Sequence, residues 1–148
     1  MSTLGNFIWF IFCGGLWSAI AWYICGAFMF CTVIGIPFSA ACFRIAKFAA
    51  FPFGKHLVDA RMMGEKRIPG TALANFLWII FAGLGLALTH VLCAITCLFS
   101  CILIVPIFLG APAWAKAHLN LASVSFAPLG KRVVSTMEYQ AILNSKYA

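Results

Sequence analysis

Charge is scarce in this sequence, and acidic charge scarcest of all. Only Asp59, Glu65 and Glu138 can be negative, against ten Lys and Arg, and charged residues make up 9% of the 148. A soluble domain carries about 25%, so there is too little charge here to coat a water-facing surface. Residues 1–43 hold no Asp, Glu, Lys or Arg, and neither do residues 68–115. With every acid outside those runs, no intramembrane carboxylate pair exists for general acid–base work or proton-coupled transport. HExxH, P-loop and GxSxG patterns are absent as well. The expectation is a protein that is not an enzyme and needs no cofactor.

Other absences narrow the class further. No CxxC occurs among Cys13, Cys25, Cys31, Cys42, Cys93, Cys97 and Cys101, and their number is odd. A zinc or disulfide framework needs different spacing, so the thiols read as small apolar residues, with no metal site expected. The first residues, Met1-Ser2-Thr3-Leu4-Gly5, have no basic flank or cleavage pattern, which argues against a removable signal peptide. There is no alternation of polarity over about 10-residue segments, as barrel strands require.

What is present is hydrophobicity, 64% of the chain. One helical span needs about 20 apolar residues, and each uncharged run is long enough for two spans and a tight turn. Helices satisfy their own backbone groups in hydrocarbon. Trp9 and Trp78 stand near the starts of the runs, and Trp17, Trp22 and Tyr23 cluster inside the first. Because Trp and Tyr favour membrane interfaces, the cluster predicts a turn near residues 17–25. A re-entrant first segment turning at Gly14-Gly15 is the variant.

The chain also repeats itself. Gly5-Asn6-Phe7-Ile8-Trp9-Phe10-Ile11-Phe12-Cys13-Gly14 matches Ala74-Asn75-Phe76-Leu77-Trp78-Ile79-Ile80-Phe81-Ala82-Gly83 at a constant offset of 69. Pro52-Phe53-Gly54-Lys55 matches Pro128-Leu129-Gly130-Lys131 at an offset of 76, and Gly35-Ile36-Pro37 pairs with Gly110-Ala111-Pro112. The second copy therefore holds about seven extra residues, close to two helical turns, mostly before Gly110. The expected fold is an all-α integral membrane protein of two tandem repeats, 1–69 and 70–148. Each repeat is expected to be a two-span helical hairpin followed by a short basic interfacial helix.

Orientation follows the basic residues. Arg44, Lys47, Lys55, Arg61, Lys66 and Arg67 lie between the runs, and Lys116, Lys131 and Arg132 lie after the second. Both groups are expected on the cytoplasmic side, with both termini there and the copies parallel. Phe38, Cys42, Ile45 and Ala49 share one face of a helix whose other face holds Arg44 and Lys47, the pattern of an interfacial helix. Arg44, Lys47, Lys55, Lys116, Lys131 and Arg132 are the candidates for lipid headgroups or anions. Anionic lipid is the expected partner rather than nucleic acid.

These stretches resemble the YccF family of bacterial inner-membrane proteins. The resemblance is carried by Ile34-Gly35-Ile36-Pro37-Phe38, Phe43-Arg44-Ile45-Ala46-Lys47, Pro52-Phe53-Gly54-Lys55, Asn75-Phe76-Leu77-Trp78, Leu88-Thr89-His90 and Pro128-Leu129-Gly130-Lys131-Arg132-Val133-Val134-Ser135. It runs from Asn6 to Ser135 and implies an inner-membrane location and two tandem copies; it implies no mechanism. The second copy departs from the pattern at Gly110-Ala111-Pro112-Ala113-Trp114-Ala115-Lys116 and at Asn120, where a Gly-Ile-Pro-Phe turn and a Lys are usual.

One further pattern stands out. Thr89, His90, Cys93, Thr96, Cys97, Ser100 and Cys101 fall within roughly 140° of one helix face, a stripe about 18 Å long with His90 at its outer end. Close helix packing, the wall of an aqueous pathway and a soft-metal site all fit such a stripe. The functional expectation is a homo-oligomeric ion channel or small-solute pathway, lined by the stripe and leaning to anions because its cytoplasmic mouth is basic. The alternative is a non-transporting membrane module that binds anionic lipid or a partner protein.

Overall fold

The computed structural model describes residues 2–33, 35–66, 68–100 and 110–147. Ile34, Arg67 and Cys101, named above, lie outside these, as do most of the extra residues before Gly110.

Helices dominate the chain. The first apolar run forms α1 (Ser2–Phe12) and α2 (Gly15–Phe30), bent by 72° at the break between them. Gly14 makes the bend with φ +86°, a backbone state that glycine enters without steric cost. Beyond α2, Thr32 Oγ1 donates to Met29 O and accepts from Gly35 N, which fixes the approach to the next helix. α3 (Ile36–Ala50) starts with Pro37 in its first turn and packs antiparallel along α2. Phe43 meets Tyr23, and together with Cys42 it faces the bare Gly26.

The second run follows the same course with one difference. Thr71–Ser100 is a continuous helix of 30 residues, composed of α4 (Thr71–Trp78), a π-helical turn (Ile79–Gly83) and α5 (Leu84–Ser100). Among the described residues it is the one unbroken helix long and apolar enough to cross a bilayer; α1 and α2 pass only when counted together. Leu73, Phe76, Ile80, Phe81, Leu92 and Phe99 are all exposed along it, an apolar face suited to hydrocarbon rather than water. α6 (Ala111–Phe126) returns along α5.

One expectation needs correction here. The turn expected at 17–25 is absent, because α2 runs through it. Trp22 is fully buried and hydrogen-bonded, so it marks the core and not an interface. The basic helix after the first run is α3, which packs along α2 with Phe38, Cys42, Ile45 and Ala49 buried and Lys47 exposed.

The chain is also not purely helical. β1 (Lys55–Asp59) pairs antiparallel with β2 (Lys131–Ser135). Val58, Val133 and Val134 suit a pleated strand. Leu57 stands opposite Val133, Lys55 opposite Ser135 and Asp59 opposite Lys131. Leu57 and Val133 correspond at the offset of 76, so the ribbon pairs a segment with its own counterpart, as in an isologous two-fold contact. The flanking bonds keep this relation: Ala60 N donates to Gly130 O at 2.8 Å and Thr136 N to Gly54 O at 3.2 Å. α7 (Thr136–Tyr147) follows β2 directly, opened by a reciprocal cap in which Ser135 N donates to Glu138 Oε2 and Glu138 N to Ser135 Oγ.

Candidate functional site

The Asn-x-x-Trp and Pro-x-Gly-Lys motifs meet in space. Asn6 Nδ2 donates to Phe53 O and Asn6 Oδ1 accepts from Phe53 N, both at 3.0 Å. Asn75 makes the same pair of bonds with Leu129, at 3.3 and 3.1 Å. Three residues on, Trp9 Nε1 donates to Ala49 O at 2.7 Å and Trp78 Nε1 to Ser125 O at 2.8 Å. The last carbonyls of a helix have no partner inside it. Each indole therefore closes the end of a returning helix, while the Asn three residues earlier on the same face holds the turn that leads into the ribbon.

That turn sets the basic residues around the ribbon. Lys47 lies in the last turn of α3. Arg44, from the same helix, lines a cleft of about 490 Å³ with Glu65 and Arg132. Burial, and after it the neighbouring Arg132, lowers the Arg44 pKa. Arg132 grips Glu65 with two parallel bonds, Nε to Oε1 at 2.8 Å and Nη2 to Oε2 at 2.6 Å. Lys55, Lys116 and Lys131 line a second cleft, of about 380 Å³, with His56, Asn120, Ser123 and Tyr139. The structure thus brings five of the six expected headgroup residues together in two clefts, with Lys47 exposed nearby on α3.

Some of this charge is already neutralised. Asp59 takes three bonds from Arg61, one from its backbone N at 3.0 Å and two from its guanidinium at 2.9 and 3.1 Å, with Lys131 further off at 3.8 Å. The Arg61 hydrogen bonds hold the Asp59 carboxyl at a pKa of about 2. Among the described residues, no ion pair includes Arg44, Lys47, Lys55 or Lys116.

The stripe on α5 is unevenly exposed. Thr89 and Thr96 are exposed, Cys93, Cys97 and Ser100 are half-buried and His90 is buried. Thr89 donates to Gly85 O, Thr96 to Leu92 O and Ser100 to Cys97 O, so each hydroxyl is satisfied by its own helix without water. No turn lies next to His90, which sits inside the continuous helix Thr71–Ser100. Thr96, Cys97 and Ser100 share a side cavity of about 590 Å³ with Ile8, Phe12, Cys13 and Trp114, and its walls are largely apolar.

His90 instead joins a buried chain between the two halves of the molecule. Trp22 Nε1 lies 3.2 Å from His90 Nε2, His90 Nδ1 3.4 Å from His118 Nδ1, and His118 Nε2 3.0 Å from Cys13 O. An indole nitrogen only donates and a carbonyl only accepts. His90 Nε2 must therefore accept, leaving its proton on Nδ1. His118 must accept at Nδ1 and donate from Nε2 to the carbonyl. Both rings are then neutral and fully bonded, as buried polar groups require. Trp9 packs on His118 with ring centres 4.6 Å apart.

Sequence spacing did not point to His118, Trp22, Glu65, His56 or Tyr139. His118 falls on the same helical face as Trp114, Leu121 and Ala122, all buried, a signal of burial in the residue order, but no spacing ties it to a residue 28 positions earlier.

The family model described as an inner membrane component domain, YccF, matches the chain twice, at residues 4–55 and 73–131. The chain is similar to the inner membrane protein YccF of Escherichia coli K12, 27% identical over 146 residues that cover 95% of this chain and 93% of that protein. The same figures hold for the inner membrane protein YccF of Shigella flexneri. No solved structure matches.

Proposed function

Since the chain belongs to the YccF family of inner-membrane proteins, we propose that it is a non-catalytic membrane module whose basic end engages anionic lipid headgroups on the cytoplasmic leaflet. The observation that carries this reading is the gathering of Arg44, Lys47, Lys55, Lys116, Lys131 and Arg132 around one ribbon, with too few acids nearby to neutralise them. The unit is duplicated. The recurring Asn and Trp bonds and the self-matched ribbon support two parallel copies about a local two-fold axis, so both basic turns and both termini face the cytoplasm. Each juxtamembrane cation is worth about 1 kcal/mol of attraction to an anionic leaflet. Electron spin resonance of spin-labelled lipids around the reconstituted protein tests the reading. Phosphatidylglycerol is expected to be preferred over phosphatidylcholine, with the preference falling as salt rises. Equal association of the two lipids contradicts it.

The exposed hydroxyl-bearing residues Thr89 and Thr96 favour a second reading, a homo-oligomeric pathway for ions or small solutes in which several copies turn this side of α5 inward. Planar-bilayer recording decides it. Silent bilayers containing inserted, oligomeric protein rule the pathway out.

A further inference from the structure

The two basic clefts share two corresponding pairs of positions, Arg44 with Asn120 and Arg132 with His56, yet one is lined by a carboxylate and the other by none. At the offset of 76, Lys55 corresponds to Lys131, His56 to Arg132 and Arg44 to Asn120. In the cleft of Arg44 and Arg132, the chain supplies its own oxyanion, the Glu65 carboxylate, gripped by Nε and Nη2 of Arg132. In the cleft of Lys55, Lys116 and Lys131, no Asp or Glu is among the lining residues. The position corresponding to Glu65 is Ala141.

The geometry points to a site for a phosphate group in this second cleft, between α6 and the ribbon. Three lysines line it from three elements: Lys55 from β1, Lys116 from α6 and Lys131 from β2. The Asn120 amide and the Ser123 and Tyr139 hydroxyls add neutral donors. One wall is stiff, because the His56 and Tyr139 rings stack with centres 4.3 Å apart at 10° and His56 Nε2 lies 3.3 Å from Thr136 Oγ1. Lys131 is shared with Asp59, its Nζ 3.8 Å from Oδ2, while Arg61 holds the same carboxylate more closely at 2.9 Å. Several lysines lining one small volume suit the three oxygens of a terminal phosphate. The volume of about 380 Å³ admits a headgroup or a free ion but not a large solute. The site deepens the headgroup reading above and rests on it for its position at the membrane surface.

The test uses the full chain in phosphatidylcholine nanodiscs. Inorganic phosphate is titrated calorimetrically, and in parallel nanodiscs doped with phosphatidic acid are analysed by native mass spectrometry for retained lipid. One saturable phosphate-bearing ligand per chain is expected. Lys116→Gln and Lys55→Gln should each weaken it on the order of tenfold, the worth of one charge-assisted bond. Lys66→Gln removes the same unit of charge outside this cleft and should leave it unchanged. Glu65→Gln should raise the stoichiometry to two by vacating the first cleft. Binding of free phosphate with matching loss in the variants identifies a soluble ligand. Binding of phosphatidic acid alone identifies a headgroup. Both outcomes support the site. Saturable binding of neither overturns it, as does equal weakening by Lys66→Gln. If lipid preference for phosphatidylglycerol persists while no saturable phosphate binds, the site fails and the broader headgroup reading stands.

Discussion

At the scale of single residues, the molecule is held by polar groups that reach across it. Trp9 and Trp78 are both buried, and each donates to the end of a returning helix. Trp78→Phe keeps most of the ring but leaves Ser125 O without its donor. A buried acceptor stranded in this way costs about 1–3 kcal/mol. Trp9→Phe should cost a similar amount, because the bond it makes to Ala49 O has nearly the same length. Unfolding of the reconstituted variants checks both, and a large effect from one with none from the other would show that the two positions do different jobs. Asp59 gives a test in pH. Its pKa is held at about 2, against about 3.9 for an unperturbed aspartate. A lowered folded-state pKa adds stability above the unfolded value and loses it as pH falls toward the folded one. Stability should therefore drop between about pH 4 and pH 2, and Asp59→Asn should flatten that part of the acid curve.

At the scale of elements, each long apolar run goes out as one helix, broken or continuous, and comes back as the helix that carries the basic residues. Much of this could be read from residue order. Asn-x-x-Trp and Pro-x-Gly-Lys marked the two ends that turned out to touch, and Gly35-Ile36-Pro37 marked the start of the returning helix. The turn was misplaced because Trp17, Trp22 and Tyr23 look alike in sequence, while only their neighbours in space decide which is an interface residue. Trp22 finds His90, 68 positions away, and so belongs to the core. The ribbon was missed because five-residue strands beside a helix carry little pattern of their own, and because their pairing is between distant segments. Their register is testable. Leu57→Cys with Val133→Cys, placed in a background lacking the native cysteines, should oxidise readily to a disulfide, since these residues stand opposite each other. Leu57→Cys with Val134→Cys should not, since one step along a strand turns the side chain to the other face.

At the scale of the whole molecule, the fold places an apolar body and a basic end on one compact chain. The body is tied together by the Trp22–His90–His118–Cys13 chain, which bonds the first half to the second without any ion. The candidate site was legible in its residues but not in its grouping. The lysines and arginines were visible as a topology signal. That Glu65 fills one cleft while the corresponding cleft holds three lysines depends on how the linker folds after Asp59, where the two halves diverge into a single 3₁₀ turn (Ala60–Met63) and α7. The central claim is that both basic turns share one face of the membrane, and cysteine labelling tests it most directly. Lys55→Cys and Lys131→Cys, each in a cysteine-free background, are exposed to a membrane-impermeant maleimide in inside-out and right-side-out vesicles. Parallel copies with a cytoplasmic basic end predict that both positions react only in inside-out vesicles. Reaction of the two from opposite faces, or of both from outside, contradicts the account.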